Sequence, residues 1–307
     1  MSEEHAPVVV GLGPVDPALV TPFLGEGVLF VSDPTAGDLA VAQGAIVRAA
    51  YDVDRALLDR MPALRIVART GVGVERVDVA ACHERGIAVA ITPGSNARAV
   101  AEGAFAMLLA LIKRVPESHR FVASGAWGRG TVPVPGDAHG KTLAVVGFGR
   151  IGRIIAGFAA AFGMRVLVHD PFVQAEEFEN VTLEQAVARA DVLTLHLPGG
   201  DGELLPRSLL ETARPGLVLV NCARAELVST ETITWGLGAG VLAGVGLDVY
   251  SSEPLRSHPL AEDPRVLLSP HTAGLSEAAM AATFQMAAEA VAETLAGRYA
   301  TFTVKVA

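Results

Sequence analysis

The chain has 307 residues, with 33 Asp and Glu against 24 Lys and Arg, a formal charge of −9, and 51% hydrophobic but only 5% aromatic residues. The acidic balance excludes nucleic acid and anionic membrane surfaces as partners, and no apolar run is long enough to span a membrane. Two cysteines, Cys82 and Cys222, make no disulfide framework, no His/Cys/Asp/Glu cluster has metal-ligand spacing, and the acidic N-terminus is unlike a signal peptide, so a cytoplasmic protein without a bound metal is expected.

The length suits two domains. The first part alternates strand-like runs at 8–12, 28–32, 45–49, 65–68 and 88–91 with helical stretches such as 54–61 and 78–85. Residues 97–124 are mostly apolar and helical, too apolar for a solvated linker. One long helix is expected there, joining the two domains and burying a face against another subunit, so a homodimer through the helix starting near Ala97 follows. A second series then runs through strands at 142–146, 165–169, 191–195, 218–221, 244–248 and 266–268. The Ala-rich amphipathic stretch 276–298 is expected to pack back on the first domain. Strands alternating with helices give parallel sheets with crossover connections. The expected fold class is α/β, with two doubly wound parallel-sheet domains. A Rossmann domain at 97–274 is inserted into a discontinuous, flavodoxin-like substrate domain made of 1–96 and 275–307.

The most specific local signal is Gly147-Phe-Gly-Arg-Ile-Gly152, between an apolar strand and a helix. Gly147 allows a tight turn, Gly149 lets a pyrophosphate approach the backbone, and Gly152 lets helix and strand pack closely. Arg150 and Ile151 open the helix, whose N-terminal N–H groups and dipole favour phosphate. Asp170, eighteen residues after Gly152, ends the next strand and is placed to accept hydrogen bonds from a ribose. A carboxylate there favours NAD over NADP. Gly11-Leu-Gly13 and Gly236-Leu-Gly238-Ala-Gly240 lack the third glycine and are expected to be plain turns.

Ligands of doubly wound sheets bind outside the carboxyl ends of the strands. In the second series those ends carry the glycine turn, Asp170, His196-Leu-Pro198, Asn221-Cys-Ala-Arg224, Asp248 and Pro270-His271. His271 suits proton transfer near neutral pH, or caps a loop. Glu253 is able to fix its tautomer, or is a solvated loop carboxylate. Arg224 clamps a carboxylate or polarises a carbonyl, or pairs with Glu226. Asp248 and Asp170 have the alternatives of helix cap and turn former, and Pro198 lines an adenine or caps a strand. Cys222 is expected to pack and His196 to be a hydrogen-bonded strand-end residue.

These residues resemble the D-2-hydroxyacid dehydrogenases, most closely the phosphoglycerate-dehydrogenase-like branch. The matching segments are 46–50, 69–78, 96–102, 140–152, 220–224, Gly246-Leu-Asp-Val-Tyr250 with Glu253-Pro254, and Ser269-Pro-His271. The resemblance implies an NAD-dependent oxidoreductase that interconverts a 2-oxo acid and a D-2-hydroxy acid, with Arg224, Glu253 and His271 as its catalytic set. It implies cofactor contacts at Gly147, Gly149, Arg150, Ile151, Gly152, Asp170, Pro198, Cys222, Ala223, Asp248, His271 and Gly274. It implies that the backbone around Val72 and Gly73 cradles the substrate carboxylate. Arg48, and Arg129 acting in the neighbouring subunit's site, would face a phosphorylated or dianionic tail.

The sequence departs from the family at Ala225 and Glu226, where two glycines are usual, and at 198–202, where a Thr-containing loop is usual. The chain stops at Ala307, so a short form without a C-terminal regulatory domain is expected. Two other functions share the fold and the residues: an NAD-binding, corepressor-like interaction protein, and a formate- or phosphite-type dehydrogenase.

Overall fold

The computed structural model describes residues 6–48, 50–200 and 202–304. Ala49, at the end of the expected third strand, and Asp201, in the departing 198–202 loop, lie outside the described residues. Through residue 96 the chain runs β1 (Val8–Leu12), α1 (Pro17–Val20), β2 (Leu29–Val31), α2 (Ala36–Val41), β3 (Ala42–Val47), α3 (Arg55–Asp59), β4 (Ile66–Arg69), α4 (Val79–Glu84) and β5 (Ala88–Ala90). Two helices follow, α5 (Ala97–Ile112) and α6 (Val115–Ala123). Next come β6 (Thr142–Val146), α7 (Arg150–Ala161), β7 (Arg165–His169), β8 (Glu179–Asn180), α8 (Leu183–Arg189), β9 (Val192–Leu195) and α9 (Arg207–Leu210). The chain closes with β10 (Leu217–Asn221), α10 (Thr230–Gly238), β11 (Leu242–Leu247), β12 (Val266–Leu268) and α11 (Glu277–Leu295). The residues up to Asn96 and from Ser276 form one compact unit, and Ala97–Leu275 form the other.

The first unit is a five-stranded sheet of order β2-β1-β3-β4-β5, with every pairing parallel. Its strands are short, β-branched and aliphatic, and alternate residues feed two cores. Val10, Leu12, Ala45 and Val47 face one core. Val9, Ile46, Ile66 and Ala68 face the other, where Phe284, Ala287, Ala288 and Val291 of α11 cover the sheet. Burial on both faces is what parallel sheets require. Helix α11 lies so close to β3 that a Cβ on Gly44 would stand 2.7 Å from Val291 Cγ1.

The second unit is a seven-stranded parallel sheet of order β12-β11-β10-β9-β6-β7-β8. The same alternation holds: Ala144 and Val146 face one core, Leu143 and Val145 the other. Thr182 and Gln185 form a capping box at α8, and Ser229 caps α10 through Thr232 N. Strand β8 was not expected, because its two exposed polar residues carry no hydrophobic pattern. Among the described residues no helix is long and apolar enough to cross a membrane.

Three expectations are corrected. Residues 97–124 are two helices, not one. Pro116 sits in the first turn of α6 and Arg114 is left-handed at φ 51°. A proline at 116 has no N–H for the Ile112 carbonyl, and its ring clashes there; that carbonyl instead accepts Gly136 N at 2.9 Å. Second, the apolar face of α5 is spent inside its own unit, with Val100, Ala104, Leu108 and Leu111 buried and Leu111 and Met107 seated over Gly244 and Gly246 of β11. Helix α6 has no buried residue. Third, Gly236 and Gly238 are not a turn but the end of α10, where Gly236 makes room for Leu242, and Gly11 lies within β1.

Candidate active site

The carboxyl edge of the seven-stranded sheet gathers the candidate residues of the second unit. After β6, Gly147 has φ 97°, and a Cβ there would lie 2.6 Å from the carbonyl carbon and oxygen of His196. A Cβ on Gly152 would collide with the Gly147 carbonyl oxygen. These two glycines are therefore fixed by the backbone itself. Gly149 differs: it is the N-cap of α7, no side chain caps the helix, and nothing lies within 4 Å of where its Cβ would be. The open space in front of the α7 N-terminus is a cradle for an anionic group.

Asp170 ties this turn to β7. One carboxylate oxygen accepts Phe148 N at 2.7 Å, and the other accepts Phe172 N at 2.8 Å and Val173 N at 2.9 Å. Burial works to raise its pKa, but the three N–H donors outweigh it and the net shift is downward. Asp170 is thus a turn former, and the oxygen that accepts only Phe148 N keeps acceptor capacity for a hydroxyl. His196 is half-buried just after β9, with Nε2 2.9 Å from Thr194 Oγ1. Burial pushes its imidazole down to about 3, so it stays neutral. Cys222 packs with its Sγ 4.0 Å from Met107 Sδ, and burial raises its thiol to about 12, which removes it as a nucleophile.

Asp248 follows β11 and is 2% exposed. Its carboxylate accepts Ser269 Oγ, Thr272 N at 2.8 Å and Ala273 N at 3.0 Å, and so clamps the loop that carries His271. His271 Nδ1 lies 2.7 Å from Glu253 Oε2, while Glu253 Oε1 accepts Tyr250 N at 3.0 Å. The carboxylate places the proton on Nδ1 and leaves Nε2 to exchange protons with a ligand. More than half of the His271 side-chain surface is exposed. Arg224 Nη1 donates to Ala223 O at 2.8 Å, and the 198–200 loop runs against Arg224 and Glu226 at Gly199.

Sequence reasoning missed three supporting residues. Asn221, 1% exposed, accepts Ala223 N at 3.0 Å and donates to Arg224 O at 2.7 Å, shaping the turn that presents Arg224. Ser269 bonds Asp248, and the Tyr250 hydroxyl joins Leu247 O at 3.1 Å to Ser269 O at 2.9 Å. All three stand in quoted motifs, and an Asn or Ser at a strand end is a signal for such bonding.

In the first unit, Arg48 follows β3, and Val72 and Gly73 follow the adjacent β4. Thr70 N and Oγ1 bond Val47 O at 2.9 and 3.0 Å, and Thr92 N bonds Gly71 O at 3.0 Å. These bonds hold the loop without using the N–H groups of Val72 or Gly73. Arg129 lies elsewhere, in an exposed turn two residues after Trp127.

Residues 105–273 match the family model of the D-isomer specific 2-hydroxyacid dehydrogenase NAD binding domain. The chain belongs to this family. Its second unit is an NAD-binding domain, and the open cradle at Gly149 fits the cofactor's pyrophosphate. The chain is 36% identical over 265 residues to D-3-phosphoglycerate dehydrogenase of Mycobacterium tuberculosis, covering 84% of this chain and 50% of that one. It spans about half the length of the phosphoglycerate dehydrogenases it matches. A glyoxylate reductase of Korarchaeum cryptofilum is 36% identical over 253 residues, covering 77% of this chain and 75% of its own. Among solved structures, a Thermus thermophilus protein superposes with TM-score 0.88 at 32% identity, covering 97% of this chain and all of that one. An NADPH-dependent glyoxylate/hydroxypyruvate reductase of Sinorhizobium meliloti gives 0.86 at 28% identity, with 97% of each chain covered.

The glycine geometry separates structure from ligand space. Gly149→Val is expected to leave the melting temperature nearly unchanged and to weaken NADH binding at least about tenfold, read by fluorescence titration. Gly147→Ala, which strikes backbone at a positive φ, is expected to lower the melting temperature by several degrees, in keeping with about 1–3 kcal/mol of strain. Equal effects of the two variants on stability and binding would show that Gly149 is not ligand space.

Proposed function

We propose that the protein is an NAD-dependent oxidoreductase interconverting a 2-oxo acid and a D-2-hydroxy acid. The observation that carries this is the His271–Glu253 pair at the carboxyl edge of the NAD-binding sheet, its free imidazole nitrogen held in one tautomer. When bound, the nicotinamide cofactor supplies the hydride for C2 of the oxo acid. His271 Nε2 gives its proton to the carbonyl oxygen as charge develops there, and takes it back in the oxidative direction. Glu253 holds the Nδ1 proton and balances the imidazolium. Arg224 binds the substrate and stabilises the developing negative charge. Asp248 acts on the cofactor end of the site and through the loop it clamps. The N–H groups of Val72 and Gly73 hold the substrate carboxylate.

The substrate proposed is dianionic, its second charge being a phosphate, as in a 3-phosphoglycerate-like acid, or a carboxylate. Arg48 supports this, as does Arg129 acting from a second copy in a homodimer. The dimer reading shifts from α5 to α6 and the segment after it, where Val115, Val122, Trp127, Val132 and Val134 are exposed apolar side chains. A cytoplasmic location accords with these roles.

His271→Ala is expected to lower kcat by at least about a hundredfold, the usual size of a proton-transfer contribution, with NADH affinity kept; near-normal turnover in a stopped assay of NADH oxidation would remove His271 from the mechanism. Asp170→Ala is expected to weaken NAD binding about tenfold or more and NADP binding far less, and an unchanged ratio of the two dissociation constants would end its role in selecting NAD. Sedimentation is expected to give twice the chain mass, and Val122→Asp to give the monomer; a wild-type monomer refutes the dimer.

A further inference from the structure

Helix α5 packs on the second sheet in step with β11. Residues 103, 107 and 111 lie four apart and share one stripe of the helix. Gly244 and Gly246 share one face of β11, and Asp248 continues the same alternation just past its end. Four helical residues rise about 6 Å and two strand residues about 6.6 Å, so the two rows keep register. At the first two levels the strand is small and the helix large. Leu111 Cδ2 would stand 3.2 Å from a Cβ on Gly244, and Met107 Sδ 3.2 Å from one on Gly246. At the third level the sizes are inverted: the strand row carries Asp248 with the loop bonded to it, and the helix carries Gly103.

Gly103 is the one glycine of α5, a helix otherwise rich in alanine. Glycine weakens a helix interior relative to alanine, so its place answers to something outside the helix. The three atoms nearest to where its Cβ would be all belong to Ala273: Cβ at 3.0 Å, Cα at 3.1 Å and the carbonyl oxygen at 3.3 Å. Ala273 is also a residue whose N–H the buried Asp248 carboxylate accepts, at 3.0 Å, beside Thr272 N at 2.8 Å. The 272–273 backbone is thus tied to the sheet by a charge and seated on the helix at a glycine. His271 comes directly before it, with its own N–H bonded to Ser269 O at 3.0 Å and its Nδ1 2.7 Å from Glu253 Oε2. Short bonds therefore bracket the imidazole on both sides.

A methyl group at 103 would press on the main chain of Ala273, not on the far end of a flexible side chain. The loop would have to give by a few tenths of an ångström. The same displacement would reach the bonds to Asp248 and, two residues away, the imidazole. Catalytic groups must be held to within about 0.5 Å, and a misplacement of about 1 Å costs up to a hundredfold in rate. We propose that Gly103 is a positioning residue for His271: it lets the 272–273 backbone seat on α5 and so sets the imidazole against Glu253 and the reacting atoms. The proposal rests on the reading of His271 as the proton donor. Gly103 acts through the imidazole, on the rate of proton transfer rather than on binding.

Gly103→Ala is compared with Ala106→Gly, a change of the same size at an exposed position of the same helix. Gly103→Ala is expected to keep the melting temperature and the NADH dissociation constant nearly unchanged, to leave KM within about twofold, and to lower kcat about tenfold, part of the proton-transfer contribution. Ala106→Gly is expected to lower the melting temperature and leave kcat alone. In a His271→Ala background, Gly103→Ala is expected to cause no further loss, because the two changes remove the same step. A wild-type kcat in Gly103→Ala, or the same tenfold loss with and without His271, overturns the proposal. A second readout does not depend on turnover. The His271 Nδ1–H proton resonance, identified by its loss in His271→Ala, is expected to move upfield in Gly103→Ala as the bond to Glu253 lengthens, and to stay in place in Ala106→Gly. An unmoved resonance in Gly103→Ala overturns the positioning role even where kcat falls. A moved resonance in a chain whose wild type turns over no 2-oxo acid supports the positioning role and overturns the oxidoreductase reading instead.

Discussion

The buried carboxylate of Asp248 is the constraint on which the site depends. A carboxylate that is 2% exposed costs several kcal/mol unless its oxygens are filled. Filling them with Ser269 Oγ, Thr272 N and Ala273 N leaves the 269–273 backbone little choice of path. That path places His271 at φ 54°, a conformation costing an L-residue about 1–2 kcal/mol. Three bonds to a buried charge outweigh the cost, because hydrogen bonds to charged groups contribute about 1.5–3 kcal/mol each. The imidazole then reaches Glu253, whose other oxygen is anchored by Tyr250 N. Helices and strands alone do not orient the pair; a buried charge does.

The same principle decides which groups are reactive. His196, Cys222 and His271 all lie near strand ends, and composition alone does not rank them. Burial neutralises His196 and protonates Cys222, with Thr194 and Met107 as their neighbours. His271 stands on a loop, half exposed, with a carboxylate on one nitrogen. Solvent access and a carboxylate on Nδ1 therefore distinguish the His271 imidazole from that of His196.

Most of the architecture was legible because the central strands are buried on two faces and read as short aliphatic runs, and because Gly147 and Gly152 answer to backbone collisions that no other residue satisfies. What escaped the sequence has equally local causes. The helix break at Arg114 turns on Pro116 and on a carbonyl of Ile112 that finds Gly136 instead of a helical partner. The apolar face of α5 was legible, but its destination was not. Glycines 244 and 246 on β11, not hydrophobicity, create the groove that α5 fills. Asn221, Ser269 and Tyr250 act through bonds to loop backbone, which leave no periodic trace. For the site, the polar strand ends were visible, while the links among them are tertiary and join residues far apart in the chain.

The two sheets share a plan, and comparing their first turns shows why only one makes a phosphate cradle. After β6, Gly149 faces open space at the start of a twelve-residue helix with no side-chain cap. After β1, the corresponding room over Gly13 is occupied by the stem of Arg48. The helix that follows, α1, has four residues, begins with proline, and its Ala18 N–H is taken by the Asp16 carboxylate. So short a helix presents little dipole, and a carboxylate at its start repels an anion. The Gly11-Leu-Gly13 sequence thus fails as a dinucleotide site on three physical counts. The cation at this sheet edge comes instead from the residue after β3, where the Arg48 guanidinium lies 5.2 Å from the centroid of the Phe284 ring.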